Sequence, residues 1–299
     1  MTDSKKKVLF LTKYKYTDSD TITSSTILCD YIKKQGHELY YVDPSEINII
    51  LNKDNVHVFY KDIDISDVDI IISRNTKNVV EKVDQVIRIL KKKGAIVFGH
   101  EEGTPFCYRK FENHFKFIEY FPKTVYFTRN TKEEALRLLK QAEIDFPFIV
   151  KPEGSSKGIG VALVENKKDF DSYFDGEEIQ EYSDFIMQEY LDILHEYRVF
   201  VLGKKSLGVC EKIADGIVKN FAQGGEFVYM RDPELEAFAE KLSLEIKHHV
   251  LGFDIVKTKD GRLKILEINS WPSFIGFEEA SHINMSKKIF NYYLDCLKK

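Results

Sequence analysis

Residues 151–160 read Lys-Pro-Glu-Gly-Ser-Ser-Lys-Gly-Ile-Gly. An apolar run, Phe146-Pro-Phe-Ile-Val150, leads into them and another, Val161-Ala-Leu-Val164, leads out, so the segment predicts strand, glycine-rich turn, strand. Gly154, Gly158 and Gly160 permit backbone angles of either sign, Ser155 and Ser156 add hydroxyls, and Lys151 and Lys157 bring positive charge. Exposed N–H and O–H groups between two cations suit a flap over the phosphates of a nucleotide. No Gly-Lys-Ser/Thr opens a helix here, which excludes a Walker A loop. The strand character of Val161-Ala-Leu-Val164 excludes a dinucleotide fingerprint, whose glycines open a helix. A solvated hairpin has the same composition, so the flap needs a convergent partner.

That partner lies a hundred residues downstream. Asp254 sits in Gly252-Phe-Asp-Ile-Val256, and Glu267 and Asn269 sit in Leu263-Lys-Ile-Leu-Glu-Ile-Asn269, with Lys259-Asp260-Gly261 as a hairpin turn between them. Side chains two apart on a strand share a face, so Glu267 and Asn269 project together, Leu266 and Ile268 opposite, and Asp254 can lie across from them. Two carboxylates and an amide form an all-oxygen set suited to Mg²⁺ (or Mn²⁺), which also takes water and phosphate. The alternative, ordinary edge-strand polar residues, fits poorly: Asp254 and Glu267 interrupt apolar runs, where a buried carboxylate needs a partner.

These residues require a scaffold. Strands are expected at 7–12, 37–42, 68–73 and 95–98, alternating with helices at 26–35 and 79–93, the pattern of a small doubly wound parallel sheet. Thr12-Lys-Tyr-Lys-Tyr16 is too bulky for a dinucleotide turn. Arg74-Asn75-Thr76 and His100-Glu101-Glu102 come after strands, where open sheets place ligand contacts, although solvated loops have the same look. Thr131-Lys-Glu-Glu134 is a capping box for a helix to about Ala142, and a short helix comes after Asn166. A strand at 185–191 and a hairpin of 197–202 with 206–213 come next. Asp232 and Pro233 start a helix expected to reach Leu251, with His248-His249 solvated at its end or acting there as a favourable cation. The last helix, 286–297, carries Phe290, Tyr293 and Leu294 on a stripe that suits internal burial or a second subunit. The division expected is 1–98, an N-terminal α/β domain; 99–185, a central subdomain with the flap; and 186–299, a C-terminal subdomain with the metal site.

At 299 residues, with 43% apolar and 31% charged residues, the chain reads as a globular α/β (α+β) protein of two or three subdomains. Its 48 acidic against 44 basic side chains do not advertise nucleic-acid binding. No apolar run approaches a membrane span, and the N-terminus lacks a signal peptide's apolar core. Cys29, Cys107, Cys210 and Cys296 are scattered without zinc-type pairing, and the histidines form no ligand constellation, so a reducing cytoplasm is the expected location.

Taken in order, Lys151-Pro-Glu-Gly-Ser-Ser-Lys-Gly-Ile-Gly-Val161, Gln188-Glu-Tyr-Leu191, Arg198, Asn220-Phe-x-x-Gly-Gly225, Gly252-Phe-Asp254 and Glu267-Ile-Asn269 resemble the motifs of ATP-grasp enzymes, in particular RimK-type carboxylate–amine ligases. The resemblance spans nearly the whole chain. It implies an N-terminal α/β domain followed by a two-lobed ATP-grasp fold. It also implies ATP with two Mg²⁺ ions, small-molecule or peptide carboxylate and amine substrates, and relatives that form dimers or tetramers. By the same resemblance, Lys151 neutralises ATP phosphates and the loop Gly154, Ser155, Ser156, Lys157, Gly158 closes over them. Gln188, Glu189, Tyr190 and Leu191 form the adenine hinge, and Glu196 takes an acidic ribose contact. Arg198 steadies the transferring phosphoryl or acyl phosphate, Lys212 and Asn220 add phosphate and metal contacts, and Asp254, Glu267 and Asn269 are the metal ligands.

Two departures qualify the resemblance. Asn113-His114 stands where the family has an Asp-Lys pair, with Lys110 or Lys116 as substitutes, and the loop between Glu211 and Asn220 is short and not arginine-rich. Glutamate addition to a ribosomal protein is therefore not inherited. An inositol-phosphate kinase of the same fold is the rival reading, supported by Lys219-Asn220-Phe221 and Asn269-x-x-Pro272-Ser273-Phe274. Against it, the loop lacks that family's histidine, Glu267 replaces its commoner aspartate, and the net charge is −4. A non-catalytic nucleotide-binding scaffold is a third, but it has no need of two metal carboxylates.

Overall fold

The structure is a computed structural model that describes residues 4–13, 23–53, 55–74, 76, 79–100, 110–128, 131–153, 159–213 and 225–298. Its first part carries β1 (Lys7–Leu11), α1 (Ser24–Lys34), β2 (Glu38–Val42), the short strands β3 (Ile47–Leu51), β4 (Val56–Tyr60) and β5 (Ile63–Asp64), then β6 (Ile70–Ser73), α2 (Val80–Lys92) and β7 (Ile96–Phe98). The order β2-β1-β6-β7 is all parallel. Strands of a parallel sheet are covered on both faces and so read as continuous apolar runs. Val8, Phe10, Ile70 and Ile72 pack with Leu28, Cys29 and Ile32 of α1, while Leu9, Leu11, Ile71 and Val97 meet Val83, Val86, Ile87 and Leu90 of α2. The doubly wound unit is as expected. Helix α1 begins two residues early because Thr23 and Thr26 cap each other reciprocally. The antiparallel β3-β4-β5 sheet was not expected; its strands have no clean alternation of buried and exposed positions.

The next elements are α3 (Lys110–Lys116), β8 (Thr124–Thr128), α4 (Lys132–Gln141), β9 (Phe148–Pro152), β10 (Ala162–Val164), α5 (Lys167–Asp175) and β11 (Asp184–Glu189). They build an antiparallel sheet in the order β10-β9-β11-β8, so the glycine-rich segment does join two paired strands. Thr131 and Asn166 cap α4 and α5, and Ala135, Leu139, Phe170 and Phe174 cover one sheet face. The division expected at 185/186 falls inside β11. That strand is bonded on both sides to β8 and β9, so the chain leaves this sheet only at Tyr190–Asp192.

The last part comprises β12 (Ile193–Leu202), β13 (Lys205–Ile213), β14 (Glu226–Met230), α6 (Pro233–Ser243), β15 (Val250–Thr258), β16 (Leu263–Ser270), α7 (Ile275–Ser281) and α8 (Met285–Cys296). The sheet order is β14-β13-β12-β15-β16, all antiparallel. Leu235, Ala239 and Leu242 of α6 cover one face. Helix α6 stops at Ser243 rather than Leu251, because Val250 and Leu251 pair with Leu202 and Val201. Lys204 Nζ donates to the carbonyls of Ser243 (2.8 Å), Ile246 and His248 (3.2 Å), tying off the helix end. His248 is buried and His249 bonds the Tyr292 hydroxyl at 2.7 Å, so neither is a solvated helix-end cation. The α8 stripe is spent internally: Phe290 and Tyr293 are buried, and Tyr293 stacks on Phe98 of β7 at 3.7 Å. The N-terminal sheet and the C-terminal helices thereby share one core.

Candidate active site

Asp254 lies directly opposite Glu267 across the β15–β16 pair and opposite Arg198 across β12–β15. Asn269 lies opposite Gly252. Lys212 is two residues along β13 from Cys210, the partner of Arg198. Alternation therefore sends Glu196, Arg198, Lys212, Asp254, Glu267 and Asn269 to one face, away from α6. The register shifts after Asp254, where Ile255 pairs with Ile265. Because of this bulge, Ile265 and Ile268 enter the core, not Leu266 and Ile268 as strict alternation predicts.

The face is a buried charge network. Arg198 Nε and Nη2 donate to Asp254 Oδ1 (2.5 Å) and Oδ2 (2.8 Å). Lys212 Nζ sits 2.7 Å from both Asp254 Oδ1 and Glu196 Oε1. Asp254, Glu196 and Lys212 are buried and Arg198 nearly so. Burial works to raise the Asp254 pKa, but Arg198 and Lys212 outweigh it and hold the carboxyl at about 2. Burial likewise opposes the Arg198 charge, and Asp254 with Glu267 and Glu196 overcomes it, moving that pKa up.

Glu267 and Asn269 are half-buried, and neither side chain hydrogen-bonds a described residue. Oxygen acceptors left unsatisfied beside an ionised Asp254 fit a hard cation. Among the described residues no three His, Cys, Asp or Glu side chains gather about one point.

The other wall is the open face of the β10-β9-β11-β8 sheet. Lys151 Nζ donates to Gln188 Oε1 at 2.5 Å, and Gln188 Nε2 donates to Thr124 Oγ1 at 2.9 Å. His114 of α3 bonds the Tyr126 hydroxyl through Nδ1 (2.7 Å) and approaches Gln188 Nε2 through Nε2 (3.5 Å). Its neighbour Asn113 donates to the Ile268 carbonyl at 3.1 Å, between Glu267 and Asn269 on β16. One turn of α3 thus joins the Lys151 wall to the acidic wall. The Asn113 Oδ1 is buried with no partner among the described residues, a lone acceptor that a ligand's donor would satisfy.

The chain crosses between the walls at Tyr190, 45% exposed, and Leu191, which is buried. Glu189 accepts from the Lys123 main chain at 2.9 Å. Lys116, one of the two expected substitutes for the family's lysine, donates to the Glu245 carbonyl at 2.6 Å, beyond α6. Gly154, Ser155, Ser156, Lys157, Gly158 and Asn220 lie outside the described residues, as does the side chain of Lys110. In the sequence Asn113 and His114 stand out only as a departure from the family's pair; the local sign of the helix that carries them is Phe111 with Phe115, four residues apart.

Gly252 admits a close approach in the site. A Cβ there would lie 2.7 Å from Pro272 Cβ and 3.3 Å from Arg198 Cδ. Gly252→Ala is expected to cost about 1–3 kcal/mol, the usual range for overpacking, and to displace the Arg198 guanidinium. A urea titration alongside an activity assay checks it, and unchanged values in both would contradict the geometry.

Known proteins resemble this chain over most of its length. The family model described as the RimK-like ATP-grasp domain matches residues 121–293, and that of the RimK PreATP-grasp domain matches residues 16–103. A "Probable alpha-L-glutamate ligase" of Haemophilus influenzae (strain PittEE) is 24% identical over 277 residues, 87% of this chain and 91% of that one. A protein of the same description from Legionella pneumophila (strain Corby) is 29% identical over 151 residues, 49% of each chain, so this chain spans about half the length of that relative. Among solved structures, the ATP-grasp ligase PsnB complexed with minimal precursor superposes with a TM-score of 0.70 at 16% identity, over 98% of this chain and 99% of that one. The D-alanyl-alanine synthetase A of Vibrio cholerae gives 0.69 at 13% identity, over 99% and 100%. At such identities the likeness is one of fold.

Proposed function

Since the chain belongs to the RimK-like ATP-grasp family, we propose that it is an ATP-dependent carboxylate–amine ligase acting through an acyl phosphate. The observation that carries this reading is the Arg198–Asp254–Lys212–Glu196 network, set beside two unsatisfied oxygen side chains and joined through α3 to Lys151. A substrate carboxylate oxygen attacks the γ-phosphorus of ATP and ADP leaves. An amine nitrogen then bonds the acyl carbon, the C–O bond to phosphate breaks, and the amine proton passes to solvent.

Such chemistry needs positioning and cancellation of spread negative charge rather than covalent help from the protein. Lys151, steered by Gln188, holds the nucleotide phosphates on one wall. Arg198 and Lys212, fixed by Asp254 and Glu196, present cations where charge develops, and their burial removes the water that would screen them. Asp254, Glu267 and Asn269 would hold two Mg²⁺ ions, which neutralise phosphate oxygens when bound. The 190–191 crossing would take adenine, and the 154–158 loop and Asn220 the phosphates. We place the end of the central unit at Glu189.

The names of the relatives suggest L-glutamate as the amine, with a small-molecule or peptide carboxylate as its acceptor. Cys29, Cys210 and Cys296 are free thiols, and no helix among the described residues is long and apolar enough to cross a membrane; a reducing cytoplasm fits both. The test is incubation with ATP, Mg²⁺, hydroxylamine and a panel of N-acetyl-L-glutamate, succinate, glutamate-terminated peptides and an inositol phosphate. Hydroxamate with stoichiometric ADP is expected. Phosphorylated inositol without hydroxamate would favour the kinase, and no turnover across the panel would remove the ligase reading.

A further inference from the structure

Strand β3, Ile-Asn-Ile-Ile-Leu, is the outer strand of the β3-β4-β5 sheet and pairs with β4 on one side only. The turn that ends it fixes which way its main chain points. The Asn52 N–H donates to the Asn55 carbonyl at 2.9 Å, and antiparallel pairs alternate between hydrogen-bonded and non-bonded. Asn48 and Ile50 therefore bond β4, while Ile47, Ile49 and Leu51 turn their N–H and C=O groups to the open edge. The Ile47 N–H is taken up by the Pro44 carbonyl; the other outward groups bond no described residue.

An open edge is a template for another chain, and proteins blunt it with charge, proline, brevity or a cover. Other edges of this molecule are treated in that way. Strands β7 and β10 have three residues each, and β2 and β14 open on Glu38 and Glu226. The free side of β16 is covered, its Ile265 N–H donating to the Tyr120 carbonyl at 2.8 Å. Strand β3 has no charge and no proline, and Leu51 (70% exposed) and Ile50 (48%) leave apolar surface beside the open groups.

The flanks of the strand say what pairs with it. Glu46 precedes it and Lys53 follows; both are exposed, and neither has an ion-pair partner among the described residues. A second copy laid antiparallel, about a two-fold axis at Ile49, sets Ile49 against the partner's Ile49 and Ile47 against the partner's Leu51. All of these are outward-facing positions, so the bonding parity matches. The two Ile49 residues exchange N–H···O=C bonds, and each Leu51 N–H meets the Ile47 carbonyl across the axis. The same register carries the Glu46 end of each strand to the Lys53 end of the other, whereas parallel pairing would set like charge against like. A two-fold pairing also consumes both edges and closes. The stripe on α8, the other surface suited to a second subunit, is already buried at Phe290 and Tyr293. We infer that β3 is the contact between two copies of this chain, joining their β3-β4-β5 sheets into a single antiparallel sheet across a two-fold axis. The inference is independent of the ligase reading.

Sedimentation velocity on the full chain over a concentration series reads the assembly state. Wild type is expected to be a dimer that dissociates on dilution. Leu51→Pro deletes an outward N–H without touching a bond to β4 and is expected to shift the equilibrium to monomer. Two charge reversals at exposed positions keep the test open should that variant not fold. Glu46→Lys and Lys53→Glu each place like charges together at both ends of the contact, and each is expected to raise the dissociation constant roughly tenfold. In an equimolar mixture of the two variants every such contact is again opposite in sign, so a heterodimer of wild-type affinity is expected. A wild-type monomer at every concentration would overturn the inference, as would a dimer indifferent to Leu51→Pro and to both reversals. Reversals that weaken the dimer without recovery on mixing would overturn it too, because the two ends would then not meet.

Discussion

In Glu267→Gln, ADP release is expected to fall by roughly a hundredfold or more, the scale seen when one electrostatic contact to a developing charge is removed. Glutamine keeps the shape of the side chain and discards its charge. The wild-type carboxylate is half-buried and hydrogen-bonds no described residue, so the fold should not register the change: the thermal midpoint is expected to move by no more than about 2 °C. The half-saturating Mg²⁺ concentration should rise in the same variant, because a ligand oxygen has lost its charge. Coupled ADP assays at graded Mg²⁺, with a melting curve on each sample, decide the matter. Full activity would remove Glu267 from the metal set. Lost activity with a collapsed melting curve would make it a structural residue.

The second large effect is on stability. Asp254→Ala strips the acid shared by Arg198 and Lys212 and leaves two cations out of water with too few anions. Removing one partner of a buried pair costs about 3–5 kcal/mol, because the remaining charge stays desolvated. A loss of unfolding free energy of that size, read from urea titration, is expected, whatever happens to turnover. Acid titration offers an independent check. The Asp254 carboxyl is held at about 2 in the fold against an ordinary 3.8, so the unfolded chain binds the proton more tightly. Its contribution, about 2–3 kcal/mol, is full above pH 4 or so and disappears as pH falls through about 2. Asp254→Asn should flatten stability across that window. Parallel acid limbs for wild type and variant would contradict the ion network.

The strands and the acidic hairpin were readable because local pattern and tertiary role agree there. Ile70-Ile-Ile is apolar throughout because α1 and α2 cover both faces of β6. Asp254 and Glu267 stood out as charges inside apolar runs, and a hairpin turn brings them into register by local connectivity alone. Period-two reasoning failed at the bulge, since an inserted residue is a property of pairing and leaves no mark on alternation; it missed β3, β4 and β5 because they do not alternate. The overlong α6 failed for a similar reason. Residues 244–251 have acceptable helix propensity, but β12 claims Val250 and Leu251 through hydrogen bonds that no local window contains.

Chain order alone determined which residue types the candidate site draws on: a lysine-flanked glycine turn, an arginine, and two acids with an amide at strand spacing. These are local signals, set by side-chain chemistry and the two-residue strand repeat. Tertiary structure alone decided which charges neutralise one another. Arg198, Lys212, Glu196 and Asp254 come from three strands and meet only once the sheet is formed. It also decided that α3 would tie Lys151's wall to β16, and that Arg74 would lie against Trp271. Contacts between residues some two hundred positions apart depend on how sheets and helices stack to bury their apolar faces, and no local sequence pattern encodes that stacking.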